Sequence, residues 1–125
     1  MKIQIWNTNF NFKLEDSELS KKIYRHFPLE FVLDWRYWDE LYFLTNFGLE
    51  LDENAKEIFE IGDIVYWKKS DNSKEAIAIF FGNTPAWDWT KPRPVSKCSL
   101  IWKIIWEVTI NDNIWKGDKI KLTKN

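Results

Sequence analysis

Apolar residues fall on every second position through most of this chain, and at helical spacing in one place. Phe10, Phe12 and Leu14 alternate with Asn11, Lys13 and Glu15, the period of a strand with one face in a core. The preceding run 2–6 reads as its hairpin partner, turned at Asn7-Thr8. Leu19, Ile23 and Phe27 stand four apart and form one apolar stripe, which predicts a helix over about 17–27. Asp16 or Ser17 can cap it, and Pro28 stops it. Alternation resumes over 29–35 and 38–47, with Arg36-Tyr37 as the connection. An acidic loop over 48–53 leads to a short helical turn near 54–59, capped by Asp52 or Asn54.

The stretch 61–85 is the most strand-like in the chain. Ile64 to Trp67 and Ile77 to Phe81 are almost wholly β-branched and aromatic, types that suit a pleated, half-buried surface. On the second run Ile77, Ile79 and Phe81 share one face, and Ala76, Ala78 and Phe80 the other. Both faces are apolar, so both should be covered, and the two alanines leave room for something to approach closely. Gly62-Asp63 is a turn signal that recurs at Gly117-Asp118, read as repeated turn chemistry and not as an internal repeat. Three of the four prolines lie between Pro85 and Pro94, which makes 86–97 a stiff loop. The longest strand candidate is 99–110, with Leu100, Trp102, Ile104, Trp106, Val108 and Ile110 on one face and Trp102 expected in the core. Ile114-Trp115 continues the chain after a turn, and a last strand passes through Ile120 and Leu122.

Composition narrows the function. With 125 residues the chain is expected to form one domain, 1–125, and to bury a real core. A net charge of −1 gives no basic field, which disfavours nucleic acid. No apolar run approaches the ~20 residues of a membrane helix, and no apolar leader follows Met1, so no membrane partner and a cytoplasmic location are expected. One cysteine, Cys98, excludes an intrachain disulfide. One histidine and one cysteine cannot supply a usual nitrogen-sulfur metal site, and no phosphate-cradling or nucleophile motif is present. Neither a metal nor a cofactor is expected. His26 reads as a helix-end residue near the C-terminal dipole, and Cys98 as an inert buried thiol.

Gly62-Asp63 entering Tyr66-Trp67, followed by Phe80-Phe81-Gly82-Asn83-Thr84-Pro85, resembles the small single-domain cyclophilin-like proteins of bacteria and archaea. The resemblance is strongest over 60–85 and looser elsewhere. Where those proteins usually have Trp-Pro-Pro-Gly, this chain has Trp67-Lys68-Lys69-Ser70. It implies a mainly β fold: a closed cyclophilin-like β-barrel of about eight strands with one helix. It does not bring the isomerase chemistry with it. Cyclophilin isomerases use an arginine and a phenylalanine within a phenylalanine-histidine-arginine-type segment, with a glutamine nearby. Here Arg25, Arg36 and Arg93 lie in no such segment, and the one glutamine is Gln4.

Nine tryptophans and nine phenylalanines build a dense core and can also furnish a platform for a partner. The expected site is the 87–93 loop with the adjoining strands: Trp87, Trp89 and Arg93 together with Tyr66 and Phe81. Arg93 can stack on an indole or pair with a carboxylate. The same loop could instead plug a barrel mouth. The expected role is a non-catalytic binding module for a peptide, small-molecule or protein partner. A diverged peptidyl-prolyl isomerase or other groove enzyme is the alternative, and a homo-oligomer formed through edge strands is a third reading.

Overall fold

The computed structural model describes residues 1–6, 8–82, 91–94, 96–105 and 110–124. Among these, β1 (Lys2–Ile5), β2 (Thr8–Leu14), α1 (Glu18–Tyr24), β3 (Leu29–Val32), β4 (Trp35–Tyr37), β5 (Glu40–Leu44), β6 (Asp63–Lys68), β7 (Glu75–Phe80), β8 (Ser99–Ile105) and β9 (Lys119–Thr123) follow in order. The strands form one curled antiparallel sheet, a half-barrel, with the order β3-β9-β1-β2-β8-β6-β7-β5-β4.

The expected barrel of about eight strands is thus a sheet of nine whose two outermost strands are consecutive in the chain. The segment from Leu29 to Tyr37 pairs with β9 along its first half and with β5 along its second. The changeover falls between two neighbours. Leu33 N donates to Asp118 O at 2.8 Å on the β9 side, and Asp34 N donates to Tyr42 O at 3.1 Å on the β5 side.

The concave face holds the main core. Ile3, Ile5, Phe10, Phe12, Leu41, Phe43, Ile64, Tyr66, Ile77, Ile79, Trp102 and Ile120 lie there, with Leu19 and Ile23 of α1 packed on top. Ser17 caps α1 by accepting from Ser20 N at 3.2 Å. The Ser20 hydroxyl donates to Ile101 O at 2.5 Å and ties the helix to β8. Trp102 sits at the centre, fully buried, with its ring 5.0 Å from that of Phe12 and 5.4 Å from that of Phe27. A second, smaller cluster lies on the convex face: Phe59, Val65, Ala78, Phe80 and Cys98, with Tyr42, Trp67 and Leu100 packed against it.

Two expectations are corrected here. The stripe through Leu100, Trp102 and Ile104 is not one face. Ile64 pairs with Trp102 and Val65 with Leu100, so Ile101 is an extra residue, a β-bulge. The bulge puts both Ile101 and Trp102 in the interior and turns Leu100 outward to the second cluster. Trp106 and Val108 lie outside the described residues. The helical turn near 54–59 is instead an irregular strap. Asp52 Oδ1 accepts from Asn54 N at 3.1 Å, as a cap would, but a helix does not propagate. Lys56 bridges Cys98, each N–H donating to the other's carbonyl at 2.9 Å, and Phe59 N donates to Pro92 O at 3.0 Å. Pairing with 92–98 has taken the backbone groups a helix would use.

The repeated Gly-Asp has one physical cause. Asp63 N donates to Glu60 O, and Asp118 N to Trp115 O, both at 3.1 Å. Each turn has its glycine in third place, at φ 95° in Gly62 and 98° in Gly117, where an L side chain would be strained. Each aspartate then accepts at 2.8 Å from the backbone N–H three residues earlier.

Candidate functional site

On the convex face of β5, β7 and β6 the sheet carries a hollow of about 540 Å³. The pairing explains why it is there. Outward residues stand in rows: Val65 beside Ala78 beside Tyr42, and Trp67 beside Ala76 beside Leu44. Large side chains flank a central strand that contributes only methyl groups, so Ala76 and Ala78 form a sunken floor. Tyr42 and Leu44 make one wall, extended by Tyr37, whose ring is stacked on Tyr42 at 6.2 Å and 15°. The other wall is Trp67 with Arg93, Pro94 and Cys98, from the stretch before β8. Trp67 Nε1 donates to Ser96 Oγ at 2.7 Å, which fixes the indole against that stretch.

The ends of the hollow differ in charge. At one end Glu40 stands opposite Phe80 on β7, half-buried, and burial pushes its carboxyl up to about 7. Burial, followed by the charges of Tyr37, Asp34 and Glu40, raises the Tyr42 hydroxyl. Burial, helped by Glu40, raises the Cys98 thiol, so it stays protonated. At the other end Lys69 and Lys74 stand at the β6–β7 hairpin. Among the described residues no three histidine, cysteine, aspartate or glutamate side chains converge as a metal site would need.

Of the residues predicted from sequence, the three that are described, Tyr66, Phe81 and Arg93, are not brought together. Tyr66 is fully buried on the concave side, where its hydroxyl donates to Leu49 O at 3.1 Å. Phe81 is also inside, 5.1 Å from the Phe10 ring. Of the five, Arg93 lines the hollow, and Trp87 and Trp89 lie outside the described residues. The alternation along 76–81 correctly separated the two faces, but the groove was assigned to the face that turns inward. Glu40, Tyr37, Tyr42, Trp67, Lys69 and Lys74 were missed. The legible signal was the pair Ala76-Ala78, two small residues on one face of a strand otherwise built from large ones. His26 packs against Phe47, ring centroids 5.4 Å apart and tilted by 42°, and is not part of the lining.

A family model described as cyclophilin-like matches residues 1–123. The chain belongs to the cyclophilin-like family. A solved relative agrees with this: the solution structure of a hypothetical protein from Archaeoglobus fulgidus superposes with a TM-score of 0.77 at 26% identity, covering 99% of this chain and 92% of that one. No functionally curated protein matches the chain. Membership accounts for the curled sheet and for the resemblance over 60–85. Gly82 in that run has a local reason in this cyclophilin-like protein: a Cβ there would come within 2.7 Å of Asp39 Oδ2, and Phe81 N donates to Asp39 O at 2.8 Å. With glycine at the end of β7 the Asp39 side chain of the β4–β5 turn can lie against it; a larger residue would make that carboxylate shift.

Proposed function

We propose that this cyclophilin-like protein is a non-catalytic binding module and that its ligand, a peptide or small molecule, sits in the convex hollow. The observation that carries the reading is the hollow itself: a recess of about 540 Å³ with an alanine floor, aromatic walls, Arg93 in one wall and charged groups at its ends. Ligand sites have this size and this mixture of apolar lining with a few placed polar groups. Binding is favoured over catalysis by what the recess holds. Its thiol is kept protonated by burial, and the chain's one histidine is engaged elsewhere.

A pool of short peptides and small organic molecules titrated into the protein, followed by amide chemical shifts, tests this. Binding is expected to shift Tyr42, Trp67, Ala76 and Ala78 together and to be lost in Ala78→Leu, which fills the floor. Shifts confined to other residues, with Ala78→Leu binding like the parent, would place the ligand elsewhere. Arg93 beside aromatic walls is the one observation that favours the alternative, a diverged prolyl isomerase. Acceleration of a proline-limited peptide assay that disappears in Arg93→Ala would decide for it.

A further inference from the structure

The two ends of the hollow point to a chemical class for its ligand. Lys69 N donates to Lys74 O at 2.9 Å, one step beyond the Lys68–Glu75 pair. The two lysines therefore stand directly opposite each other across the hairpin, and both line the hollow. Like charges in that position repel and cost stability. Relief within the chain is slight. Lys69 has Asp71 at 3.7 Å in an exposed pair, and Lys74 has no ion pair among the described residues. An anion placed between them would turn the repulsion into a clamp.

The rest of the lining sets the shape of what carries that anion. Ala76 lies two residues along the strand from Lys74, roughly 7 Å away. Over Ala76 the space between Leu44, Tyr42 and Trp67 is apolar and flat-walled. At this end the lining is cationic, with Lys69 and Lys74, and the one carboxyl of the lining, that of Glu40, stands at the other end. A cationic ligand would meet like charge at the lysine end, whereas an anion would be drawn to it.

We propose that the hollow takes a small monocarboxylate with a flat apolar body, its carboxylate held between Lys69 and Lys74 and its body on the Ala76–Ala78 floor between Tyr42 and Trp67. This rests on the reading of the hollow as the ligand site. The body gains from burial against the aromatic walls, and the carboxylate gains from two charge-assisted contacts.

Three matched probes test it on the full chain: 3-phenylpropionate, 3-phenylpropanamide and 3-phenylpropylamine, each followed by amide chemical shifts. The acid is expected to bind roughly tenfold tighter than the amide, and the amine to bind weakest. The double variant Lys69→Gln/Lys74→Gln should bring the acid down to the amide, and added salt should narrow the gap. Equal binding of acid and amide, tighter binding of the amine, or no acid binding at millimolar concentration would overturn the proposal. If the acid binds with its preference intact in the double variant, the lysine clamp is wrong. Failure of the hollow as a site looks different, because Ala78→Leu would then leave every probe's binding unchanged.

Discussion

The two faces of β7 are the same six residues put to opposite uses. Inward, Ile77 and Ile79 are fully buried among Leu41, Phe43, Ile64 and Tyr66. Outward, Ala76 and Ala78 withhold side-chain volume and leave a recess between taller neighbours. The carboxyls of the two faces repeat the contrast. Glu75, on the inner side, accepts from the Thr45 hydroxyl at 2.6 Å, Phe47 N at 3.0 Å and Gly48 N at 2.6 Å. Burial alone would raise it, but these bonds and the Tyr66 hydroxyl outweigh burial and hold it below the usual range. Glu40, on the outer side, has burial without such compensation and titrates near 7. The inner face fills its volume and supplies stability, although the buried Trp102 Nε1 has no hydrogen-bond partner among the described residues. The outer face leaves volume and charge unsatisfied, which is the condition a ligand can relieve.

Mutations that attack each face should separate in size. The largest loss is expected from Trp102→Ala, about 3–5 kcal/mol, because a fully buried indole packed on Phe12 and Phe27 leaves a cavity that the sheet cannot close. Urea unfolding measures it, and a midpoint like the parent's would contradict the central position of that ring. Next comes Glu75→Gln, expected to cost on the order of 2–3 kcal/mol by setting an amide donor against three donors. Its stability gap from the parent should shrink on acidification, since a lowered carboxyl contributes above its unfolded pKa and loses that contribution as pH falls. A gap that stays constant with pH would show that Glu75 acts by shape alone.

Glu40 should give the smaller effect and the opposite sign. Its folded pKa of about 7 lies above the ordinary value of 4.5, so between these the folded state holds more protons. Stability from this group is complete below about pH 4.5 and is lost as pH rises through 7. After discounting for water in an open recess, the loss is on the order of 1–2 kcal/mol. Glu40→Gln should flatten that limb of a melting-temperature profile. An unchanged slope in the variant would show that the carboxyl is well solvated.

Much of the fold could be read from residues alone where one period persists. The alternation in Phe10-Phe12-Leu14, the Ser17 cap and the Gly-Asp turns all reappear as expected, because local chemistry decides them. The bulge at Ile101 left no trace, since Ile101 and Trp102 are both apolar and a slip of one residue between apolar neighbours does not disturb the pattern. The strap over 54–59 was hidden for another reason: its partner is Cys98, some forty residues away, and a cap residue looks the same whether a helix or a bridge follows. Of the candidate site, one lining residue could be read in advance: Arg93, singled out in a proline-stiffened loop, does line the hollow. Glu40, Tyr42, Lys69 and Lys74 sit in ordinary strand and hairpin positions, and only register brings them to one rim.

The position of β9 between β1 and β3 has a consequence for how the molecule is made. β1 obtains one of its two neighbours, and β3 its one ladder, only when residues 119–123 have left the ribosome. Until then Lys2–Ile5 has β2 on one side and nothing on the other, and Leu29–Val32 lacks its ladder altogether. Such distant pairing makes assembly slow and leaves unpaired backbone exposed in the nascent chain. Completion of the sheet therefore waits on β9, which must be made before β1 has its second neighbour and β3 its ladder.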